Sequence, residues 1–156
     1  LGITCAVATC SDGVSFPGDD GGYDKVLVDA PCSCEGTARK SRGHRGQHAA
    51  EIVRTTQPTQ IALLRRALHL CKVGGEVVYA TCTYAPEENE RVLHSVWPSK
   101  ATIVPLESPE GLKTSPGIPA WNGETFRPDV VNAARIWPHH NDTGGFFVAK
   151  LRKIAP

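Results

Sequence analysis

The chain has 156 residues, 40% of them apolar and 21% charged, and its 17 basic and 16 acidic side chains leave a net charge of +1. That length can bury the core of one domain, while near-neutrality excludes nucleic-acid binding driven by overall charge alone. Six cysteines are too sparse for a secreted disulfide scaffold, and no apolar run has the length of a membrane span or the layout of a signal peptide, so a reducing, cytoplasmic setting without a membrane partner is expected.

Residues 3–9 read as an apolar strand followed by Asp12-Gly13. Gly18, Gly21 and Gly22, interrupted by Asp19 and Asp20, precede a strand instead of following one, the wrong order for a dinucleotide-binding loop, and read as a solvated turn. Residues 23–30 are a short apolar run with β-branched members, closed by Pro31, and predict a buried parallel strand. Just past it stands Cys32, in the frame Asp29-Ala30-Pro31-Cys32-Ser33.

Between residues 39 and 54 the cations Arg39, Lys40, Arg42, Arg45 and Arg54 are interleaved with His44 and His48 and opposed only by Glu51. Each cation alone reads as part of a solvated loop; as a group they predict a loop that meets phosphates. Residues 57–72 carry Ile61, Leu64, Leu68 and Cys71 on one helical face, with Pro58 in the expected first turn and Gly74 just beyond the end. Residues 74–81 predict a second strand, followed at once by Cys82 in the frame Ala80-Thr81-Cys82-Thr83-Tyr84.

Strand, helix and strand form a right-handed crossover. Ligands of open α/β sheets bind outside the carboxyl ends of the strands, so Asp29, Cys32 and Cys82 are expected to converge there. Glu87, Glu88 and Glu90 fall in the first turn of a helix over residues 86–96, where acidic groups favour the helix dipole. Residues 97–124, rich in Pro, Gly, Ser and Thr without a sustained period, predict a loop excursion. The tail predicts a hairpin, residues 133–137 and 146–151 around a turn containing His139, His140 and Asp142. Cys5, Cys10 and Cys71 read as inert buried hydrophobes. Cys32 and Cys34 with His139, His140 and Asp142 do not have the ligand spacing of a structural zinc site, so no metal is expected.

The two cysteine frames resemble the Sun-family RNA cytosine-5 methyltransferases, whose catalytic runs are Asp-x-Pro-Cys-Ser and a Thr-Cys-Ser-like sequence. The likeness continues through Cys34-Glu35-Gly36-Thr37-Ala38-Arg39-Lys40, Pro86-Glu87-Glu88-Asn89-Glu90, Arg135-Ile136-Trp137-Pro138-His139 and Gly145-Phe146-Phe147-Val148-Ala149. Thr83 stands where that family usually has serine, and Cys34 where it often has glycine.

The resemblance implies an α/β fold, a Rossmann-like class I methyltransferase sheet lacking its N-terminal strands and ending in an antiparallel hairpin. It makes Cys82 the nucleophile toward carbon 6 of cytosine, Cys32 the group that assists release, and Asp29 the acid beside ring nitrogen 3. It implies S-adenosylmethionine as cofactor, with Asp12 and Asp29 at its site, and rRNA or tRNA as partner, met by Arg39, Lys40, Arg42 and Arg45. The chain lacks methionine even at position 1, and no strand with a glycine-rich turn precedes Asp29. Residues 1–156 are therefore expected to be the C-terminal part of one catalytic domain that requires a preceding half to bind the donor tightly. Two other classes stay open: a non-catalytic RNA-binding remnant, and a cysteine hydrolase using Cys32 or Cys82 with His44, His48 or His139.

Overall fold

The computed structural model describes residues 2–39, 49–96 and 98–156. In chain order the elements are β1 (Tyr23–Asp29), α1 (Ala49–Leu70), β2 (Cys71–Thr81), α2 (Glu90–His94), β3 (Ala101–Val104), the two-residue strands β4 (Ser115–Pro116), β5 (Ala120–Trp121) and β6 (Glu124–Thr125), β7 (Ala134–Ile136), α3 (Pro138–Asn141) and β8 (Phe146–Lys153). The main sheet runs β1-β2-β8-β7-β4, and β3 also pairs with β8. β1 and β2 are parallel, from Lys25 opposite Glu76 to Asp29 opposite Ala80, while β8 returns antiparallel to β2. β7 and β3 divide the far edge of β8, with Ala134 opposite Val148 and Ala101 opposite Lys153.

The crossover and the tail hairpin follow the sequence reading, and the sheet is the Rossmann-like arrangement with an antiparallel return that the resemblance implied. Helix α1 is longer than expected. It begins at Ala49, places Pro58 in its interior, and runs into β2 at Cys71 without a linker. Its Leu64, Ala67 and Leu68 pack with Val28 and Val77 of the sheet and with Val92 and Leu93 of α2; Tyr79, Ile103, Phe147 and Leu151 complete the same core. Full burial of each large apolar side chain is worth roughly 2 kcal/mol.

Four expectations are corrected. Residues 3–9 form no strand: they lie fully exposed, with Ile3 and Val7 at 67% and 91% of full accessibility, because no neighbouring strand supplies the ladder that an extended apolar run needs. Cys5 and Cys10 share that exposure and are not buried hydrophobes, whereas Cys71 is buried as expected. Among the described residues β1 pairs with β2 alone, as an edge strand, and apart from Val26 and Val28 its residues are exposed. Residues 97–124 are not all loop. Ala101-Thr102-Ile103-Val104 forms β3, alternately buried against the core, a run too short to stand out by period but fixed by its pairing with β8.

Candidate active site

The parallel pairing of β1 with β2 brings the two cysteine frames to the same rim of the sheet. Ala30 N donates to Ala80 O at 3.0 Å, extending the ladder one residue past β1, and the chain then opens so that Cys32 Sγ lies 3.4 Å from Cys82 Sγ. Both cysteines are partly exposed. Burial is the first cause that raises both thiols above the ordinary cysteine range, and it carries Cys82 to about 12 with help from the neighbouring Cys32 thiol. A third sulfur joins them: the Sγ atoms of Cys32, Cys34 and Cys82 all lie within 4.8 Å of one another.

The first frame is anchored to α1 by Glu88. Its carboxylate is fully buried and accepts from Ser33 N at 3.0 and 3.2 Å, from Ser33 Oγ at 2.6 Å, from Thr56 Oγ1 at 2.7 Å and from Gln60 Nε2 at 2.9 Å. Ser33 Oγ also meets Thr83 Oγ1 at 2.8 Å. The residues after the two cysteines are thus tied to each other, and Ser33 is tied in addition to Glu88 on the chain leading into α2. The hydroxyl at position 83 is what this contact needs, and threonine supplies it as serine would. Asn89 holds the second frame from the other side, donating to Thr83 O at 3.1 Å and accepting from Thr81 Oγ1 at 2.6 Å. Glu90 is buried in a two-pronged ion pair with Arg135, at 2.7 and 2.5 Å, and Arg135 also donates to Tyr84 O at 3.0 Å.

The helix expected over residues 86–96 is only α2, Glu90–His94, so Glu87 and Glu88 precede it; Glu88 and Glu90 do structural work through buried bonds. Their burial is set by tertiary contacts, so residue spacing gave no sign of it. The close approach of the loop after Cys34 was equally hidden. Gly36 N donates to Cys82 O at 2.8 Å and Gly36 O accepts from Gly145 N at 2.9 Å. A Cβ at Gly36 would stand 2.4 Å from Gly145 O, and one at Gly145 would stand 1.9 Å from the Tyr84 ring, so the two tight loops are specified by glycine.

Asp29 closes β1 with its side chain exposed and helps to line a depression of about 400 Å³ with Gly13, Phe16, Val26, Val28 and Leu63. Asp12 is exposed nearby in sequence, where Oδ1 accepts from Val14 N at 3.0 Å and caps a single turn over Gly13–Ser15. A separate open groove of about 620 Å³ is lined by Glu35, Arg54, Gln57, Tyr84, Arg91 and Trp121. Burial, then the charge of Glu88, pushes the Glu35 carboxyl upward, and Thr83 lies 3.4 Å from it. Glu35 was not singled out as a site residue, since a lone acid in a loop carries no chemical signature.

Of the expected RNA-facing cations, Arg39 is exposed and paired with Asp142 at 2.7 Å, beside His139. Lys40, Arg42 and Arg45, with His44 and His48, lie outside the described residues. Among the described residues no histidine is hydrogen-bonded to any of the three thiols, and no helix is long and apolar enough to cross a membrane.

Known proteins share this architecture. A structure described as a methyltransferase homolog protein from Pyrococcus horikoshii superposes with a TM-score of 0.70 at 34% identity over 85% of this chain and 39% of that one. NSun6 from Pyrococcus horikoshii with SFG gives 0.69 at 28% identity over 96% of this chain and 34% of that one. In sequence, the tRNA (cytosine(49)-C(5))-methyltransferase of Pyrococcus abyssi is 35% identical over 97% of this chain and 49% of its own length. Ribosomal RNA small subunit methyltransferase F of Vibrio cholerae is 38% identical over 85% of this chain and 26% of its own. The chain spans about half or less of the length of these relatives. Residues 1–152 match the family model described as 16S rRNA methyltransferase RsmB/F, and the chain belongs to that family.

Proposed function

We propose that the protein transfers a methyl group from S-adenosylmethionine to carbon 5 of cytosine in rRNA or tRNA, through a covalent bond between Cys82 and the ring. The observation that carries this reading is the 3.4 Å approach of two partly exposed thiols delivered by frames 50 residues apart. Carbon 5 of cytosine is a poor nucleophile. When Cys82 gives its proton to solvent and its sulfur bonds to carbon 6, electron density moves into the ring and carbon 5 becomes able to take the methyl group, whose bond to the donor's sulfur breaks as the new bond forms. Asp29 hydrogen-bonds ring nitrogen 3 as charge grows there. Cys32, beside Cys82 and having first given its own proton to solvent, takes the proton from carbon 5; the pair from that bond forms the ring double bond as the bond from carbon 6 to sulfur breaks, restoring aromaticity and freeing Cys82 as a thiolate.

The groove lined by Glu35, Tyr84 and Trp121 has the volume of a nucleotide-sized site, and Glu35 and Tyr84 belong to the loops that follow Cys34 and Cys82. The depression at Asp29 suits the donor: an apolar wall of Phe16, Val26 and Val28 ends in an exposed carboxylate, a chemistry matched to an aromatic base joined to a cationic centre. Asp29 and Asp12 would hold the donor, which when bound supplies an electrophilic methyl group. One relative's structure carries SFG, an analogue of S-adenosylmethionine. Because that depression is bounded on one side by the unpaired edge of β1, residues outside the chain complete it. The partner RNA meets Arg39 and the cations that follow it, in a reducing, cytoplasmic setting that keeps the thiols free.

The reading is tested by incubating the complete polypeptide, with residues preceding this chain, with RNA and donor and measuring 5-methylcytosine by mass spectrometry. Wild type forms it and Cys82→Ala lowers the yield by 10²-fold or more, the scale of losing a covalent nucleophile. Undiminished methylation by Cys82→Ala would overturn the assignment.

A further inference from the structure

The thiol trio holds one member that the reaction does not use. Cys34 sits in the left-handed backbone region at φ 58°, where a residue with a Cβ is disfavoured by roughly 1 kcal/mol or more and glycine is at ease. Its sulfur nonetheless points back into the site, 3.4 Å from Cys32 O and within 4.8 Å of the sulfurs of both Cys32 and Cys82. Thiolates bind zinc at about 2.3 Å, and tetrahedral angles at the metal then set neighbouring sulfurs about 3.8 Å apart. The separations here, 3.4 Å between Cys32 and Cys82 and at most 4.8 Å for any pair, bracket that value. All three side chains are partly exposed, which leaves a side open for a water ligand and an entry path.

We propose that Cys32, Cys34 and Cys82 form a zinc-binding site that closes over the catalytic pair. Sequence spacing gave no such site because Cys-x-Cys supplies only two ligands, and the third comes from the neighbouring strand. Three sulfurs select a soft ion such as Zn²⁺ over Mg²⁺ or Ca²⁺. As the ion enters, each of the three thiols releases its proton to solvent and its sulfur binds the metal; with water as fourth ligand the centre carries a single negative charge. Occupancy ties up the Cys82 lone pair, so the ion and the cytosine ring exclude one another, and removal of the ion by a chelator restores the thiols. That inhibitory consequence rests on the proposed methyl transfer, whereas the binding itself does not.

The test titrates Zn²⁺ against a chromophoric chelator, and Co²⁺ by its thiolate charge-transfer absorption, on the full chain carrying Cys5→Ser and Cys10→Ser to remove the exposed thiols elsewhere. The expected result is one ion per chain, with affinity reduced ~100-fold or more by Cys34→Gly, at least the loss produced by removing a supporting group around a metal. Glycine suits φ 58°, so this variant keeps its fold, checked by circular dichroism. Absence of Zn²⁺ binding in the background chain, or unchanged affinity in Cys34→Gly, would overturn the site. No RNA or donor enters the titration, so its failure leaves the proposed methyl transfer standing, and a zinc-binding chain that never methylates would sink only the latter.

Discussion

The rim that carries the cysteines and the flank that precedes β1 are built by opposite rules. At the rim, every turn of chain is tied to another: Ser33 to Glu88 and Thr83, Asn89 to Thr81 and Thr83, Glu90 to Arg135, Gly36 to both Cys82 and Gly145. On the flank, residues 2–13 are exposed throughout and β1 has a neighbour on one side only. Groups that must approach a reacting ring within tenths of an ångström need a rigid frame, and the chain supplies that frame for sulfur. The donor side is left open. On the proposed reading, positioning the nucleophile and holding the donor are separable tasks in this fold, and these residues accomplish the first.

The sharpest way to break that comparison is to remove a buried tie. Arg135→Ala takes the counter-charge from the Glu90 carboxylate, which has no exposure and keeps only Ile118 N as a donor among the described residues, and leaves Tyr84 O without the Arg135 bond. Loss of one partner of a buried ion pair costs about 3–5 kcal/mol, to be read as a shifted midpoint in urea unfolding of the chain. A shift below about 1 kcal/mol would mean that the rim is not held as described. A smaller effect concerns pH. With its thiol raised to about 12 by burial first and by Cys32 second, Cys82 is protonated at neutral pH, and its thiolate fraction grows about tenfold for each pH unit between 7 and 9. Alkylation of Cys82 by iodoacetamide, followed by peptide mass spectrometry, is expected to accelerate by that factor; a plateau across this range would show a thiolate already present. The smallest effect is expected on the flank, where Val7→Ser changes a side chain at 91% of full accessibility and unfolding shifts by no more than about 0.5 kcal/mol.

Much of the site was legible because its signals are local. A proline after β1 and a cysteine immediately past each of two strands fix the rim whichever way the rest folds, and the crossover rule then brings them together. What was missed depends on partners far away in sequence. Residues 3–9 have strand composition and no strand to pair with, whereas residues 101–104 have a weak pattern and a strong partner in β8. Glu88, Asn89 and Glu90 looked like a charged helix start, and nothing in their spacing foretold that Ser33, Thr81 and Arg135 would bury them. The third sulfur escaped for the same reason: Cys34 joins Cys82 across the sheet rim and not along the chain.

The central claim is that Cys82 bonds to cytosine and Cys32 lets it go, and the most direct test is the covalent adduct itself. The complete polypeptide, mixed with substrate RNA and donor and resolved under denaturing conditions, is expected to accumulate an RNA–protein adduct when it carries Cys32→Ala, and to form none when it carries Cys82→Ala. Equal, adduct-free inactivity of the two variants, or an adduct that survives Cys82→Ala, would contradict the account.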